Sequence, residues 1–262
     1  MKPDIAPLPR IMVAPNGAWK TRADHPALPM TIAELSDCAA ACQAAGAGGI
    51  HAHLRDAAGA HLLDAGGYRE LLAELALKAP GLAVQITTEA AGRYAPAQQR
   101  ALVRNVLAMG RPPAVSIALR EILADGEEAE AARLFADCDA AGIAVQHILF
   151  AADEVDRLAA LVAAGTIPAR GLQVLHVLGR YSAGQRSSPA DLDAPLARQA
   201  AAGLAADWAV CAFGPAETAC LAEAARRGGK VRVGFENSLH MADGSLARDN
   251  AARVAEVVAA LS

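Results

Sequence analysis

Apolar and polar positions along the chain follow two alternating patterns. Short runs rich in β-branched residues are each followed by a turn and then by an Ala/Leu-rich stretch with helical spacing. The runs read as strands are RIMVAPNG (10–17), GGIHAHLR (48–55), LAVQITTE (82–89), AVSIAL (114–119), IAVQHILF (143–150), LQVLHVLG (172–179), WAVCAFG (208–214) and VRVGFEN (231–237). Helices are predicted near 31–45, 67–78, 96–108, 127–141, 153–164, 191–203, 215–226 and 247–261. Thr31, three residues before Glu34, has the spacing of a capping box, and Pro96 and Pro215 suit a first helical turn. Eight strand–helix units in 262 residues predict a (β/α)8 barrel, one domain over 1–262. An open doubly wound sheet has the same element count, but the Gly-rich first turn it needs is missing.

Composition narrows the function classes. With 54% hydrophobic residues, 20% charged and a net charge of −4, the chain can bury one large core. It carries no basic footprint for nucleic acid or an anionic membrane. No 18-residue apolar stretch occurs, and MKPDIAPLPR lacks the apolar region of a secretory signal, so a cytoplasmic protein is expected. The five cysteines, at 38, 42, 138, 211 and 220, form no CxxC pair, which argues against a disulfide framework and a thiolate metal site.

The chemistry starts at GGIHAHLRDAAG (48–59). In a strand, His51 and His53 share one face, which suits two ligands to one metal ion. In a barrel that face opens at the C-terminal rim of the second strand, where active sites form. The eighth strand places Arg232, Gly234 and Glu236 on one face by the same alternation. It lies one strand away from the second, so Glu236 is expected to complete a His2Glu set of the kind found in catalytic zinc sites. The polar loop GRYSAGQRSSP (179–189) follows the sixth strand, and its Arg180, Arg186, Ser187 and Ser188 suit a phosphorylated group or a solvated loop.

The stretches APNGAWKTRADHPALPMT, GGIHAHLRDAAGAHLLD and VRVGFENSLHMADGSLARDNAARV resemble the beta-keto acid cleavage enzymes, over nearly the whole chain. The resemblance implies a zinc-dependent (β/α)8 barrel, tetrameric, that converts a β-keto acid and acetyl-CoA into acetoacetate and a new acyl-CoA. Carried over by position, it makes His51, His53 and Glu236 the zinc ligands and Arg232 the catalytic arginine. It puts Thr87, Gln146 and Asn237 among the catalytic positions, and Asn16, Trp19 and Ser116 against substrate.

This chain also departs from the family pattern. Asn237 stands where GLED has its acidic residue, and Gln146 where a glutamate is common. Neutral amides take up no proton at pH 7, so the base has to come from elsewhere, such as hydroxide at the zinc or the substrate's own carboxylate. QITTE replaces N-x-S-T-G around Thr87, and Trp19 replaces the Glu of members that cleave the amino substrate. Trp19 is therefore expected to make one wall of the pocket apolar, and a neutral β-keto acid is the expected substrate.

Two other readings remain. An amidohydrolase-type metal hydrolase uses HxH with histidines on strands 5 and 6, where His147 and His176 occur, but its HxH lies on the first strand. A non-catalytic homologue that keeps the metal and has lost the base fits Asn237. His25, His61 and His240 are read as solvated loop residues.

Overall fold

The computed structural model describes residues 2–108 and 114–262; the expected first residue and the segment 109–113 lie outside them. Its strands are β1 (Ile11–Val13), β2 (Gly49–Ala52), β3 (Leu54–Arg55), β4 (His61–Leu62), β5 (Ala83–Thr87), β6 (Ala114–Ala118), β7 (Val145–Leu149), β8 (Gln173–Leu178), β9 (Asp207–Ala212) and β10 (Lys230–Val233). Eight of them close into a parallel barrel in the order β1-β10-β9-β8-β7-β6-β5-β2. This is the predicted (β/α)8 barrel. The open-sheet alternative fails because β1 pairs with both β2 and β10.

The helices are α1 (Ile32–Ala44), α2 (Ala65–Lys78), α3 (Pro96–Leu107), α4 (Leu119–Ile122), α5 (Glu128–Ala141), α6 (Asp153–Ala163), α7 (Asp193–Ala201), α8 (Glu217–Arg226) and α9 (Asn250–Ala260). Thr31 caps α1 in a capping box with Glu34, and Pro96 opens α3, as predicted. Pro215 lies before α8, whose N-cap is Ala216. The one-turn helix α4 had no signal in the sequence.

Strand alternation sorts side chains into two layers. Leu175, Val177, Ala209, Cys211 and Phe213 point into the barrel and pack with Leu8. Their neighbours Val174, Leu178, Val210 and Ala212 point outward and join the larger core beneath the helices. The segment that carries Leu8 reads as a tail but passes across the barrel end opposite the mouth. Leu8 N–H donates to Asp207 Oδ2 at 2.8 Å, and Gln173 Nε2 donates to the Ala6 carbonyl at 2.8 Å.

GGIHAHLR is not one strand. β2 ends at Ala52, and Leu54–Arg55 turns away to form a hairpin, β3 with β4, over the mouth. Asp56 shapes its turn by accepting from the N–H groups of Ala58 and Ala60 at 3.0 and 2.9 Å. Among the described residues no helix is long and apolar enough to cross a membrane. The five cysteines are free thiols, and Cys38 and Cys42 face each other along α1 with 3.9 Å between sulfurs.

Candidate metal centre

His51 on β2 and His53 just past it meet with Nε2 atoms 3.0 Å apart. Glu236 places Oε2 3.7 Å from each of those nitrogens. His51, His53 and Glu236 are the one group of metal-binding type found among the described residues.

Glu236 gets there by a turn. β10 stops at Val233, and Gly234 follows with φ +138°, where a Cβ would lie 2.5 Å from the Ala14 carbonyl oxygen. Only glycine fits both the angle and the space. The turn is held by Glu217 Oε1 accepting from Gly234 N–H at 3.2 Å, Asn250 Oδ1 accepting from Phe235 N–H at 2.9 Å, and the Ala14 carbonyl accepting from Glu236 N–H at 3.0 Å.

Electrostatics suit a cation. Burial, with Arg232 adding to it, holds His51 down to about 3, and burial likewise holds His53 well below 6.5. Both imidazoles are thus neutral, the form that binds metals. Burial alone would raise Glu236, but Arg232 and His51 outweigh it and keep the carboxylate ionised. Glu236 Oε2 is buried with no hydrogen-bond partner, a costly state for a carboxylate oxygen and one that a metal ion relieves. The donor set fits a divalent ion with an open position.

Arg232 lies beside it. Its Nη2 donates to Glu236 Oε1 at 3.3 Å and contacts Cys211 Sγ at 3.6 Å, while Nε and Nη1 are buried and unpartnered. Those donors adjoin a cavity whose walls include Thr87, Glu89, Glu121, Phe150, Arg180 and Glu236. The opening above it is lined by Asn16, Trp19, Lys20, Glu89, Arg180 and Phe213 among others.

The other predicted site residues divide between the cavity and its supports. Thr87 lines the cavity, and its Oγ1 accepts from Glu89 N–H at 3.0 Å. Asn16 lines the opening, but its Nδ2 is taken by the carbonyls of Pro29 and His53 at 3.1 and 3.0 Å, so it anchors the His53 backbone. Ser116 is fully buried in the barrel, with Oγ 3.5 Å from the Ile86 carbonyl. Gln146, also inside, accepts from Gln85 Nε2 at 3.0 Å. Asn237 turns its Nδ2 to Glu217 Oε1 and to the Arg232 carbonyl, both at 3.1 Å.

Trp19 does not form an apolar wall. It is 60% exposed, and its indole N–H donates to Glu89 Oε1 at 2.9 Å. Glu89 is the residue that sequence reasoning missed, although the departure of QITTE from the family pattern marked it. Burial and the charge of Glu236 push its carboxyl up to about 7. Arg55 was also left without a role. It pins the mouth loops by donating to the carbonyls of Lys20 and Gly59 at 2.9 and 2.8 Å.

Five further histidines and a loop lie outside the metal centre, of which His240 is exposed as expected. His147 points outward against Phe135, and His176 points outward to Gln199 Oε1 at 2.9 Å, so neither reaches the mouth and the amidohydrolase reading loses its ligands. His25 and His61 are buried rather than solvated. Their Nε2 atoms meet the carbonyls of Ala247 and Glu89 at 2.8 and 3.0 Å. In the 179–189 loop Arg180 lines the mouth and Arg186 an outer cleft. Ser187 donates to the Phe213 carbonyl at 2.8 Å, and Ser188 is engaged with Asp191.

The family model described as beta-keto acid cleavage enzyme matches residues 10–262. Among solved structures, the chain is similar to ObcA in its apo form (TM-score 0.68, 16% identity, 89% of this chain and 61% of that one). It is equally similar to ObcA in a binary complex with oxaloacetate (TM-score 0.69, 17% identity, 89% and 63%). A type I 3-dehydroquinate dehydratase from Clostridium difficile shares the fold at 10% identity (TM-score 0.63, 100% of this chain and 97% of that one). The chain spans about three fifths of the length of ObcA.

Proposed function

We infer the reaction from the fact that this chain belongs to the beta-keto acid cleavage enzyme family. It takes a β-keto acid and acetyl-CoA and returns acetoacetate and a new acyl-CoA. The bond between the keto carbon and the CH2–COO⁻ unit breaks, that unit takes the acetyl group, and the remaining acyl group leaves on CoA. The observation that carries this reading is the buried, unpartnered Glu236 Oε2 facing two neutral imidazoles beside Arg232.

His51, His53 and Glu236 would hold zinc, which supplies polarisation of the ketone and stabilisation of enolate charge when bound. Arg232 offers its free Nε and Nη1 to the substrate carboxylate or to the developing oxyanion. Thr87 keeps a hydroxyl at the cavity wall for a polar contact. Arg180, over the Phe213 ring at 5.3 Å and unpaired with any carboxylate among the described residues, suits an anionic part of the CoA thioester. A ternary complex of ObcA with a C4-CoA adduct and oxalate supports the assignment of a CoA partner.

Ala118, Ile148, Phe150, Val177 and Phe213 give the acyl group an apolar bed, which supports a neutral substrate. The carboxylates of Glu89 and Glu121 in the same cavity favour a second reading, an ammonium-bearing acyl group. A cytoplasmic homotetramer completes the proposal by family likeness. The test is metal analysis with product analysis. About one zinc per chain is expected, with acetoacetate formed from a panel of β-keto acids and acetyl-CoA and lost on chelation. Metal-independent turnover, or unchanged zinc in His51→Ala, overturns it.

A further inference from the structure

Both histidines turn Nε2 toward Glu236, and each leaves Nδ1 buried without a partner. A ring nitrogen that ligates a metal makes the other nitrogen an N–H donor, and that donor needs an acceptor if the ring is to hold its orientation. Strand β5 and the residues just after it carry one acceptor for each ring.

Gln85 is the register partner of His51, and its Oε1 is buried and unpartnered. The Gln85 Nε2 donates to Gln146 Oε1 at 3.0 Å, and Gln146 Nε2 donates in turn to the Val174 carbonyl at 3.4 Å. This chain of amides fixes which end of Gln85 faces Gln146 and leaves its carbonyl oxygen for His51. Glu89 lies four residues on. Its Oε2 is 3.9 Å from His53 Nδ1, its Oε1 accepts the Trp19 indole N–H at 2.9 Å, and its backbone carbonyl is held by His61 at 3.0 Å.

We propose that Gln85 and Glu89 are positioning residues of the metal centre, accepting the Nδ1–H of His51 and His53 respectively, with Gln146 and Trp19 holding them in place. Two departures from the family pattern acquire a role in this way. Gln146 is an amide because it must both accept from Gln85 and donate to Val174, which no carboxylate does. Trp19 acts on the metal centre through Glu89 and not by contact with substrate.

The proposal rests on the metal reading above, and its test separates the two. Zn2+ affinity is measured by chelator competition on the purified chain, with the tautomers of His51 and His53 read by long-range 1H–15N NMR of the zinc-loaded wild type. Wild type is expected to bind Zn2+ with both rings protonated at Nδ1. Glu89→Ala and Gln85→Leu are each expected to weaken binding by about 10- to 100-fold. Glu89→Gln, which keeps an acceptor, stays near wild type, and Trp19→Phe falls between. A wild type that binds no Zn2+ overturns both the metal reading and this proposal. Zn2+ bound with the ring protons on Nε2 overturns only the proposal. So do affinities within about twofold of wild type in Glu89→Ala and Gln85→Leu, or a Glu89→Gln as weak as Glu89→Ala, since charge rather than the acceptor would then be at work.

Discussion

Gly17 and Glu236 touch: a Cβ on residue 17 would lie 2.6 Å from Glu236 Cγ, and residue 17 sits at φ +60°. The first mouth loop thus packs directly against the Glu236 side chain and leaves no room there for a larger residue. Gly17→Ala has to displace the carboxylate and adopt a left-handed backbone, which costs about 1–2 kcal/mol for an L-residue. Metal affinity is expected to fall more than about tenfold, with a smaller loss of thermal stability. Chelator competition and a melting curve check it, and an unchanged affinity contradicts the contact.

Asn237 donates to Glu217, a carboxylate buried beside Arg253, which donates to it at 2.6 Å. An acid at 237 would face that carboxylate, whose pKa burial already raises, so either two buried charges repel or one carboxyl has to take up a proton. Asn237→Asp is therefore expected to destabilise the fold by about 2–3 kcal/mol and to lower activity, despite restoring the family's acidic residue. Urea unfolding and an acetoacetate assay measure the two effects. A more active Asp variant of normal stability would return the base to position 237.

His147 is buried against Phe135, and burial holds its imidazole down to about 4 from an ordinary value of 6.5. The folded pKa is the lower one, so below pH 6.5 the unfolded chain binds a proton that the folded chain excludes. The contribution of the neutral ring is full above pH 6.5 and is lost as pH falls from 6.5 to 4, about 3 kcal/mol in all. His147→Leu removes this dependence. Unfolding free energies of both proteins between pH 4 and 7.5 should show wild type falling relative to His147→Leu by up to about 3 kcal/mol towards the acid end, and parallel curves contradict the assignment.

The barrel was legible because parallel strands and their helices write two clear periods into the chain. HxH was legible because alternation keeps His51 and His53 together. What stayed hidden depends on contacts far apart in sequence. Glu236 reaches the histidines through the Gly234 turn and not by strand alternation, since β10 ends at Val233. Leu8 enters the barrel core from a Pro-rich segment that has no period at all. His25 and His61 lie in connections whose composition reads as solvated, and only tertiary packing buries them. The indole N–H of Trp19 carries no sequence signature of its partner 70 residues away, so the apolar wall expected there gives way to a polar contact with Glu89.

Substrate choice tests the apolar bed formed by Ile148, Phe150, Val177 and Phe213. Uncharged 3-ketohexanoate is expected to exceed 3-keto-5-aminohexanoate in kcat/KM. A preference of about tenfold or more for the amino substrate, about 1.4 kcal/mol, would assign Glu89 and Glu121 to an ammonium instead.

The central claim concerns which carbon atoms are joined. The zinc-loaded chain is incubated with an unlabelled β-keto acid and acetyl-CoA carrying 13C in both acetyl carbons, and the products are followed by 13C NMR. The label is expected in carbons 3 and 4 of acetoacetate, with an unlabelled acyl-CoA formed in equal amount. Label that stays in acetyl-CoA while the keto acid is hydrolysed to two unlabelled acids would contradict acyl exchange and leave a metal-dependent hydrolase.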